Sequence, residues 1–194
     1  IPPNYILNMF VNDKGQYQIT EPGSLRQTGS QLDVAVVGPG FIGVQAPGGD
    51  IEYTRDGNFS ISPDGTLVTQ AGFPVASLGG GNITIPEGSQ EVAIDDRGNV
   101  SNQDGQLGQI GIFEFDNVQE LEQRGNNLYQ IVGGEALPAT ESRVKQGYLE
   151  GSNVKPVVEM SRMIETLREY QSLQNVMEKE NERLRSAIQK LSGV

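Results

Sequence analysis

The most regular hydrophobic pattern of the chain runs through its last forty residues. Read in sevens, this stretch has one apolar position at residues 160, 167, 174, 181 and 188 and a second at residues 163, 170, 177, 184 and 191. Eight of these ten positions are apolar or aromatic, a repeat that is typical of a helix packed against other helices. We call the ten residues the seam; they are Met160, Met163, Leu167, Tyr170, Gln174, Met177, Asn181, Leu184, Ile188 and Leu191.

Start and stop signals bound this pattern. Gly151-Ser152-Asn153 offers an N-cap, and Pro156 suits the first turn, where a missing N–H costs little. Gly193 follows the last apolar residue of the repeat as a C-terminal stop. The sequence therefore predicts one helix over residues 156–192, about 55 Å long at the usual rise per residue.

The seam needs a partner that the given sequence does not offer. Amphipathic helices often pack on their own domain, but a small body cannot cover a helix of this length, and no other stretch predicts a helix that could pair with it. Gln174 and Asn181 fit assembly, because polar seam residues cost stability and fix the register between helices. We expect the partner to be another copy, another protein or a part of this protein outside the given sequence.

Short alternating strands dominate the rest of the chain. The pattern predicts strands at residues 32–37, 41–45, 51–54, 59–61, 67–69, 83–85, 92–94, 99–101, 109–115, 128–132 and 144–149. Residues 1–30 are predicted to be irregular, with an apolar run at 5–11, a turn at 12–15 and a brief alternation at 17–19. The expected fold class is mainly β: a compact all-β body over residues 1–150, sandwich-like or barrel-like, and a helical segment over residues 151–194.

Charge is divided unevenly between these two parts. Residues 1–150 hold 7 Lys or Arg against 19 Asp or Glu, whereas residues 151–194 hold 7 against 6. An acidic body argues against nucleic acid and an anionic membrane surface as partners. No run of about 18 apolar residues occurs, so we expect no direct membrane insertion. The chain opens Ile1-Pro2-Pro3 without a Met, and we expect a further N-terminal segment to precede it.

Candidate catalytic and metal-binding chemistry is sparse. The chain has no Cys and no His, which excludes thiolate and imidazole chemistry, disulfides and the commonest metal ligands. The glycine-rich stretches 38–40 and 79–81 lack the Lys-Ser/Thr of a phosphate-binding loop, and residues 95–99 lack the spaced carboxylates of a calcium loop, so we predict turns. Composition leaves a paired-carboxylate hydrolase open. We assign no catalytic, metal-binding or cofactor-binding residue, no cofactor and no small-molecule substrate.

Three blocks of the sequence follow the pattern of a known family. The first is Leu25-Arg26-Gln27-Thr28-Gly29 with Leu32-Asp33-Val34-Ala35-Val36 and residues 38–41; the second is Tyr53-Thr54-Arg55-Asp56-Gly57-Asn58-Phe59 with Asp64-Gly65-Thr66-Leu67-Val68-Thr69 and Gly72; the third is Gly151-Ser152-Asn153-Val154. In this order, and over most of the chain, they resemble the flagellar rod and hook proteins. The motif positions are Thr28, Gly29, Leu32, Asp33, Gly38, Gly40, Tyr53, Thr54, Arg55, Gly57, Phe59, Gly65, Leu67, Gly72, Gly151, Ser152 and Asn153.

The resemblance implies an architecture and a role. It implies a β outer domain and an inner helical layer formed by both termini, including an N-terminal helix that this sequence does not contain. It implies a structural, non-enzymatic subunit of the bacterial flagellar basal-body rod, a tubular shaft that transmits torque. The implied partners are other rod subunits and copies of itself, and the implied location is the rod within the periplasm after export by the flagellar type III apparatus. Residues 83–90 and 151–156 are more similar to a proximal than to a distal rod subunit.

A second class of function also fits the residues alone. A β-rich adhesion or phage-tail-like binding module on a coiled-coil stalk would have the same β body and the same heptads. The N-terminus separates the two, since a rod protein needs an amphipathic helix there and an adhesin needs a secretion signal or a trimeric stalk. An enzyme is the third choice, because no nucleophile–base or metal-ligand constellation is present.

Overall fold

The structure is a computed structural model that describes residues 22–89 and 91–192, the last four by their backbone alone. The predictions for residues 1–21 and for Gly193 lie outside the described residues, and Leu191 is described only as part of a helix. The chain divides into two units between Ser152 and Asn153. Each unit is described by itself below.

The described residues form fifteen strands, one 3-10 turn and one α-helix. The strands are β1 (Leu25–Gln27), β2 (Val34–Val37), β3 (Phe41–Gln45), β4 (Ile51–Thr54), β5 (Phe59–Ile61), β6 (Leu67–Thr69), β7 (Ala93–Ile94), β8 (Asn99–Asn102), β9 (Gly105–Gln109), β10 (Ile112–Glu114), β11 (Leu121–Gly125), β12 (Leu128–Ile131), β13 (Leu137–Pro138), β14 (Arg143–Gln146) and β15 (Tyr148–Glu150). The 3-10 turn covers Val118–Glu120, and helix α1 covers Pro156–Ser192. The mainly β body with one long C-terminal helix confirms the predicted fold class.

A six-stranded antiparallel sheet forms the largest layer of the body. Its strand order is β11-β12-β4-β3-β10-β13, and β3 and β4 form its central hairpin. Smaller antiparallel sheets pair β1 with β15, β2 with β14 and β5 with β6, and a three-stranded sheet has the order β7-β8-β9. Because two of these small sheets, β1 with β15 and β2 with β14, pair strands far apart in sequence, the first and last strands of the body lie together.

Two groups of buried side chains hold the body together. The larger consists mainly of aliphatic residues from the small sheets and the turns between them, such as Leu67, Ile83 and Val100, together with Ile42 of β3, and all four are fully buried. The smaller is aromatic: Phe41 and Tyr53 on the central hairpin pack edge-to-face on rings from the strands beside them. Edge-to-face rings carry their own geometric preference, so this second group fixes how the outer strands lie on the hairpin.

Four predicted strands, β3, β4, β5 and β6, have the bounds read from the sequence. The prediction at residues 83–85 was wrong: Ile83 and Ile85 are buried, but only Thr84 forms a bridge, an isolated one to Thr66. The predicted strand 109–115 is divided at residues 110–111 between β9 and β10. The predicted strand 144–149 is divided at Gly147, whose φ of 76° is left-handed and interrupts an extended chain.

Three strands were missed because their own residues carry no β pattern. β1, in the stretch predicted to be irregular, is exposed over its whole length and forms by pairing with β15. β11 buries only Leu121, and β13 has two exposed residues. β11 pairs with β12 through a turn in which Asn126 and Asn127 have φ of 49° and 60°, a geometry that asparagine tolerates and that suits a tight hairpin.

The C-terminal helix α1 is 37 residues long and begins at Pro156, as the sequence predicted. The predicted N-cap was placed too early. The N–H groups of Val158 and Glu159 both donate to the carbonyl oxygen of Lys155, so the chain becomes helical after Lys155 and not at residues 151–153. Within the described part of the chain, no helix is both long enough and apolar enough to cross a membrane.

Candidate assembly interface

Helix α1 presents the seam to solvent. The seven apolar and aromatic seam residues from Met160 to Ile188 are each 54–67% exposed, and the polar seam residues Gln174 and Asn181 are exposed as well. In a heptad register a and d side chains lie along one side of a helix, so these residues form a continuous apolar stripe. A stripe of this size left in water is the usual mark of a surface that binds another chain.

The stripe is wider than the predicted seam. Ile164 and Leu173 occupy heptad positions that flank it, and their side chains are 49% and 64% exposed. The predicted seam did not include them because it was limited to positions a and d, the contact positions of a two-stranded coiled coil. Apolar residues at positions e and g indicate a helix that contacts more than one neighbour. Across the seam itself, Nε2 of Gln174 donates to Oη of Tyr170 at 3.0 Å.

Two ion pairs flank the seam. Oε1 of Glu180 and Nη1 of Arg183 lie 3.0 Å apart, and the same atoms of Glu159 and Arg162 lie 2.9 Å apart. In the heptad register both glutamates are at position g, beside the seam, and both arginines are at position c, on the outer side of the helix. All four side chains are more than half exposed, so these pairs add little to stability.

In the body, the Arg55 side chain joins three separate segments near the end of the last strand. Its Nε donates to Oε2 of Glu150 at 2.8 Å. Its Nη1 donates to the carbonyl oxygens of Gly38 at 3.0 Å and Gly40 at 2.8 Å, and its Nη2 donates to that of Val36 at 3.4 Å. The side chains of Arg55 and Glu150 are only 18% and 12% exposed. This largely buried guanidinium therefore links β2, the turn that follows it and β15 through hydrogen bonds.

Glu150 connects the beginning of the body to its end. Its Oε1 accepts the N–H of Gly23 at 2.8 Å, while the N–H of Gly151 donates to the carbonyl oxygen of Ser24, also at 2.8 Å. Strands β1 and β15 continue this contact over three residue pairs. The first described residues of the body therefore lie beside its last residues.

Two motif glycines leave no room for a side chain. A Cβ on Gly57 would lie 1.7 Å from the carbonyl oxygen of Val34, whose own N–H donates to the carbonyl of Gly57 at 2.9 Å. A Cβ on Gly40 would lie 2.7 Å from Oγ of Ser142, which accepts the N–H of Gly40 at 2.8 Å. Both glycines let β2 and the turn after it approach neighbouring backbone, and the same turn provides the carbonyl groups that Arg55 binds.

Comparison with known proteins gives a family for this arrangement. Residues 35–102 match the model of the flagellar hook protein FlgE/F/G D1 domain, and residues 145–190 match that of the flagellar basal body rod FlgEFG protein C-terminal region. The flagellar basal-body rod protein FlgF of Caulobacter vibrioides is 40% identical over 186 residues, which cover 95% of this chain and 76% of that protein. The FlgF of Rhizobium meliloti is 32% identical over 95% of this chain and 77% of that protein. The FlgG of Buchnera aphidicola subsp. Schizaphis graminum is 36% identical over 88% of this chain and 69% of that protein.

The chain belongs to the flagellar basal-body rod protein family. Of its two family matches, one covers the body from β2 to β8 and the other begins in β14 and runs through most of α1. The second match thus spans Glu150, the connecting residues Ser152 and Asn153, and nine of the ten seam residues. This agrees with the resemblance that the sequence blocks carry.

Other motif positions of the rod family sit in the core or in turns. Tyr53, Phe59 and Leu67 are buried, Leu32 packs against the larger core, and Gly65 and Gly72 have φ of 82° and 85° in turns. Burial raises the pKa of Tyr53. These positions therefore support the body and do not form a single surface.

A second set of motif residues fixes the segment that leads into β2. The N–H groups of Thr28 and Gly29 donate to the carbonyl oxygen of Gly147 at 2.8 and 3.2 Å, and the N–H of Gly147 donates to that of Asp33 at 2.7 Å. Thr54 is almost fully buried, and its Oγ1 donates to the carbonyl oxygen of Asn127 at 2.9 Å. These bonds position β1, β15 and the β11–β12 hairpin around Arg55.

Several carboxylates of the body serve its turns. Hydrogen bonds from the side chains of Ser62 and Thr66 lower the pKa of Asp64, and a hydrogen bond from the Asn99 side chain lowers that of Asp95. Burial raises the pKa of Glu114, but hydrogen bonds from Ser142 and from the backbone around it outweigh burial and lower this pKa to about 2. The turn predicted at residues 95–99 is thus the β7–β8 turn. In the part of the chain that is described, no three acidic side chains are placed to hold a metal ion.

Proposed function

We propose that this chain is a structural subunit of the flagellar basal-body rod, of the proximal FlgF type, and that its seam is the surface through which it assembles. The exposed apolar stripe of α1 carries the proposal, since a 37-residue helix with such a face needs helical partners. The seam residues would contact helices of neighbouring subunits or an N-terminal helix of the same protein. The β body, residues 1–150, would form the outer domain.

The same observations support a mechanical role and no reaction. The family is one of structural proteins, and the carboxylates of Asp64, Asp95, Glu114 and Glu150 serve turns and an ion pair. Rod assembly would place the chain in the periplasmic part of the basal body after export through the flagellar type III apparatus. Its function there would be stiffness and torque transmission through many lateral contacts. The FlgF relative at 40% identity favours the proximal type over the distal FlgG type.

Charge placed on the seam tests this proposal. Leu167→Asp and Leu184→Asp each bury an unpaired carboxylate in the expected interface, at a cost of several kcal/mol per subunit. Glu165→Lys and Glu182→Lys, at heptad positions f and b on the outer side of the helix, change charge by a larger amount at exposed positions and should cost about 1 kcal/mol or less. Motility and electron microscopy of isolated basal bodies are measured for all four strains.

We expect both Leu→Asp strains to export the protein but to build no rod and not to swim, and both Glu→Lys strains to swim. Normal swimming of the Leu→Asp strains would show that α1 is not the assembly element. Equal loss in all four strains would mean that the seam is on another side of the helix.

A further inference from the structure

A cleft in the body combines two arginines with a few apolar side chains. It has a volume of about 220 Å³ and is lined by Leu78, Arg97, Gln109, Ala139, Thr140 and Arg143, among others. Drug-sized ligands and cofactors occupy larger pockets, of about 300–1,000 Å³. The cleft is therefore of a size for one or two side chains of another protein.

The arginines stand out against the charge of the body. Residues 22–150 carry six Lys or Arg and 17 Asp or Glu. One of the six, Arg55, is ion-paired with Glu150, and two more line this cleft. Two exposed cations next to each other on an acidic body make a local site for a negatively charged group.

The Arg143 side of the cleft is built on a fixed loop. Nη1 of Arg143 donates to the carbonyl oxygens of Thr140 and Ser142 at 3.1 and 2.9 Å, which orients the guanidinium plane. The loop itself is held by Glu114, whose carboxylate accepts the backbone N–H groups of Thr140, Glu141 and Ser142 at 2.7–3.1 Å. Of the five N–H donors of Arg143, only those on Nη1 bind other described residues, which leaves an edge of the fork for a ligand.

The Arg97 side is built on the β7–β8 turn. Oδ1 of Asp95 accepts the N–H of Arg97 at 2.9 Å, and Nε2 of Gln109 donates to the carbonyl oxygen of Arg97 at 3.1 Å. The N–H of Val144 donates to the carbonyl oxygen of Asp96 at 3.0 Å, which joins this turn to β14. Both arginines thus sit on backbone fixed before any ligand arrives, and such preorganisation lowers the entropic cost of binding.

We propose that this cleft is a docking site for a carboxylate side chain on the β body of a second copy of this chain. The inference rests on the proposed assembly into a rod. A planar guanidinium pairs with carboxylates in a bidentate manner, and Leu78 and Ala139 give an apolar surface for the methylene stem of a glutamate or aspartate. The body of the chain supplies an excess of carboxylates for such a contact. A contact between unlike surfaces of two copies is heterologous, the type that generates open helical arrays.

Site-specific photocrosslinking of the full chain in cells that build flagella tests this contact. A benzoylphenylalanine at Leu78, which is 38% exposed in the cleft, is irradiated, and the product is mapped by mass spectrometry. Ile61, 44% exposed on β5 and outside the cleft lining, is the matched control position. We expect residue 78 to link to a segment of a second copy that lies in the body and contains Asp or Glu. A link only to a different protein, a link only to α1, or no link at all would overturn the proposal.

Charge variants then test the role of the arginines. We expect Arg97→Ser with Arg143→Ser to lower the yield of the residue-78 crosslink at least tenfold, and the Lys versions of both positions to retain more yield than the Ser versions. Arg26→Ser with Arg124→Ser removes the same charge from two exposed strand positions outside the cleft and should leave the yield within twofold. An unchanged yield in the cleft double variant would show that the contact does not need the cations and would overturn the proposal.

A folding control keeps the result clear. Thermal unfolding is measured for each purified variant, and should the double variant unfold, the single Arg97→Ser replaces it. The side chain of Arg97 donates no hydrogen bond to other described residues, so this change should spare the fold and lower the crosslink yield at least threefold. This test is independent of the seam test. If the Leu→Asp variants abolish the rod while residue 78 forms no copy-to-copy link, the docking site fails and the proposed function stands.

Discussion

Replacing Arg55 with Ala should be among the most damaging single changes at the surface of the body. The change removes the 2.8 Å ion pair with Glu150 and the donors to three carbonyl oxygens, at 2.8, 3.0 and 3.4 Å. It also leaves the Glu150 carboxylate with the N–H of Gly23 as its remaining hydrogen-bond donor among the described residues. Bonds to a charged group contribute about 1.5–3 kcal/mol each, and removing one member of a buried pair costs about 3–5 kcal/mol.

The side chains of Arg55 and Glu150 are 18% and 12% exposed, which decides where in that range the loss of stability should lie. Water can reach part of both side chains and replace some of the lost bonds, so we expect Arg55→Ala to lower the free energy of unfolding by about 3 kcal/mol, at the lower end for buried pairs. Domains of this kind are stable by about 5–15 kcal/mol. The variant should therefore still fold at low temperature and unfold at a clearly lower urea concentration.

Urea unfolding of the full chain, followed by tyrosine fluorescence because the chain has six Tyr and no Trp, measures this loss. A double-mutant cycle with Glu150→Gln isolates the ion pair, for which we expect a coupling energy above about 1 kcal/mol. Arg124→Ala, at an exposed position of β11, is the control and should change stability by less than about 0.5 kcal/mol. If Arg55→Ala lowers the free energy of unfolding by less than about 1 kcal/mol, the idea that this side chain stabilises the contact between β2 and β15 is refuted.

Three further outcomes follow from the same contacts. Gly57→Ala should destabilise the body by at least about 3 kcal/mol in urea unfolding, because its Cβ would meet the carbonyl oxygen of Val34 at 1.7 Å, whereas Gly79→Ala, with open space around its Cβ, should be nearly neutral. The pKa of Glu114 is about 2 against an ordinary 4.5, so its carboxylate stabilises the fold above pH 4.5 and this stabilisation is lost as the pH falls toward 2. After allowance for solvent screening, Glu114→Gln should lower the free energy of unfolding by about 1–2 kcal/mol at pH 7 and by less at pH 2. A series of unfolding curves at different pH values measures this difference. Amide exchange on the purified monomer should show slow exchange in the body and fast exchange across residues 156–192, and strong protection of the helix without an oligomer would contradict the seam assignment.

The helix and the regular hairpins could be predicted from sequence because their signals are local. The seam repeats every seven residues, and Pro156 marks the start of α1 to the residue. Strands β3 and β4 are short runs bounded by Gly-rich turns, so their limits followed directly. In each of these elements the pattern of the residues themselves agrees with the final structure, which is the condition under which sequence reasoning works.

The errors occurred where pairing partners and not local pattern decide the conformation. β1 has three exposed residues and becomes a strand only because β15, more than a hundred residues later, pairs with it. Ile83 and Ile85 alternate as a strand would, but they fill the core from a segment with one isolated bridge. The role of Arg55 was visible only as a family motif, since its partners are backbone carbonyl groups that no composition reveals.

The close contact between the first described residues of the body and its last residues has a consequence for how the gene can change. The N–H of Gly151 and the carbonyl oxygen of Ser24 are in hydrogen-bond contact at 2.8 Å, so the whole segment between them occupies almost no length along the path from one flank of the chain to the other. Residues 24–151 can therefore be treated as a unit that is inserted into the chain. It can be lengthened, shortened or exchanged for another compact domain with close termini, as in successful domain insertions, without moving the residues on either side of it. Changes in this segment and changes in the residues on either side of it can therefore be inherited separately within a single chain.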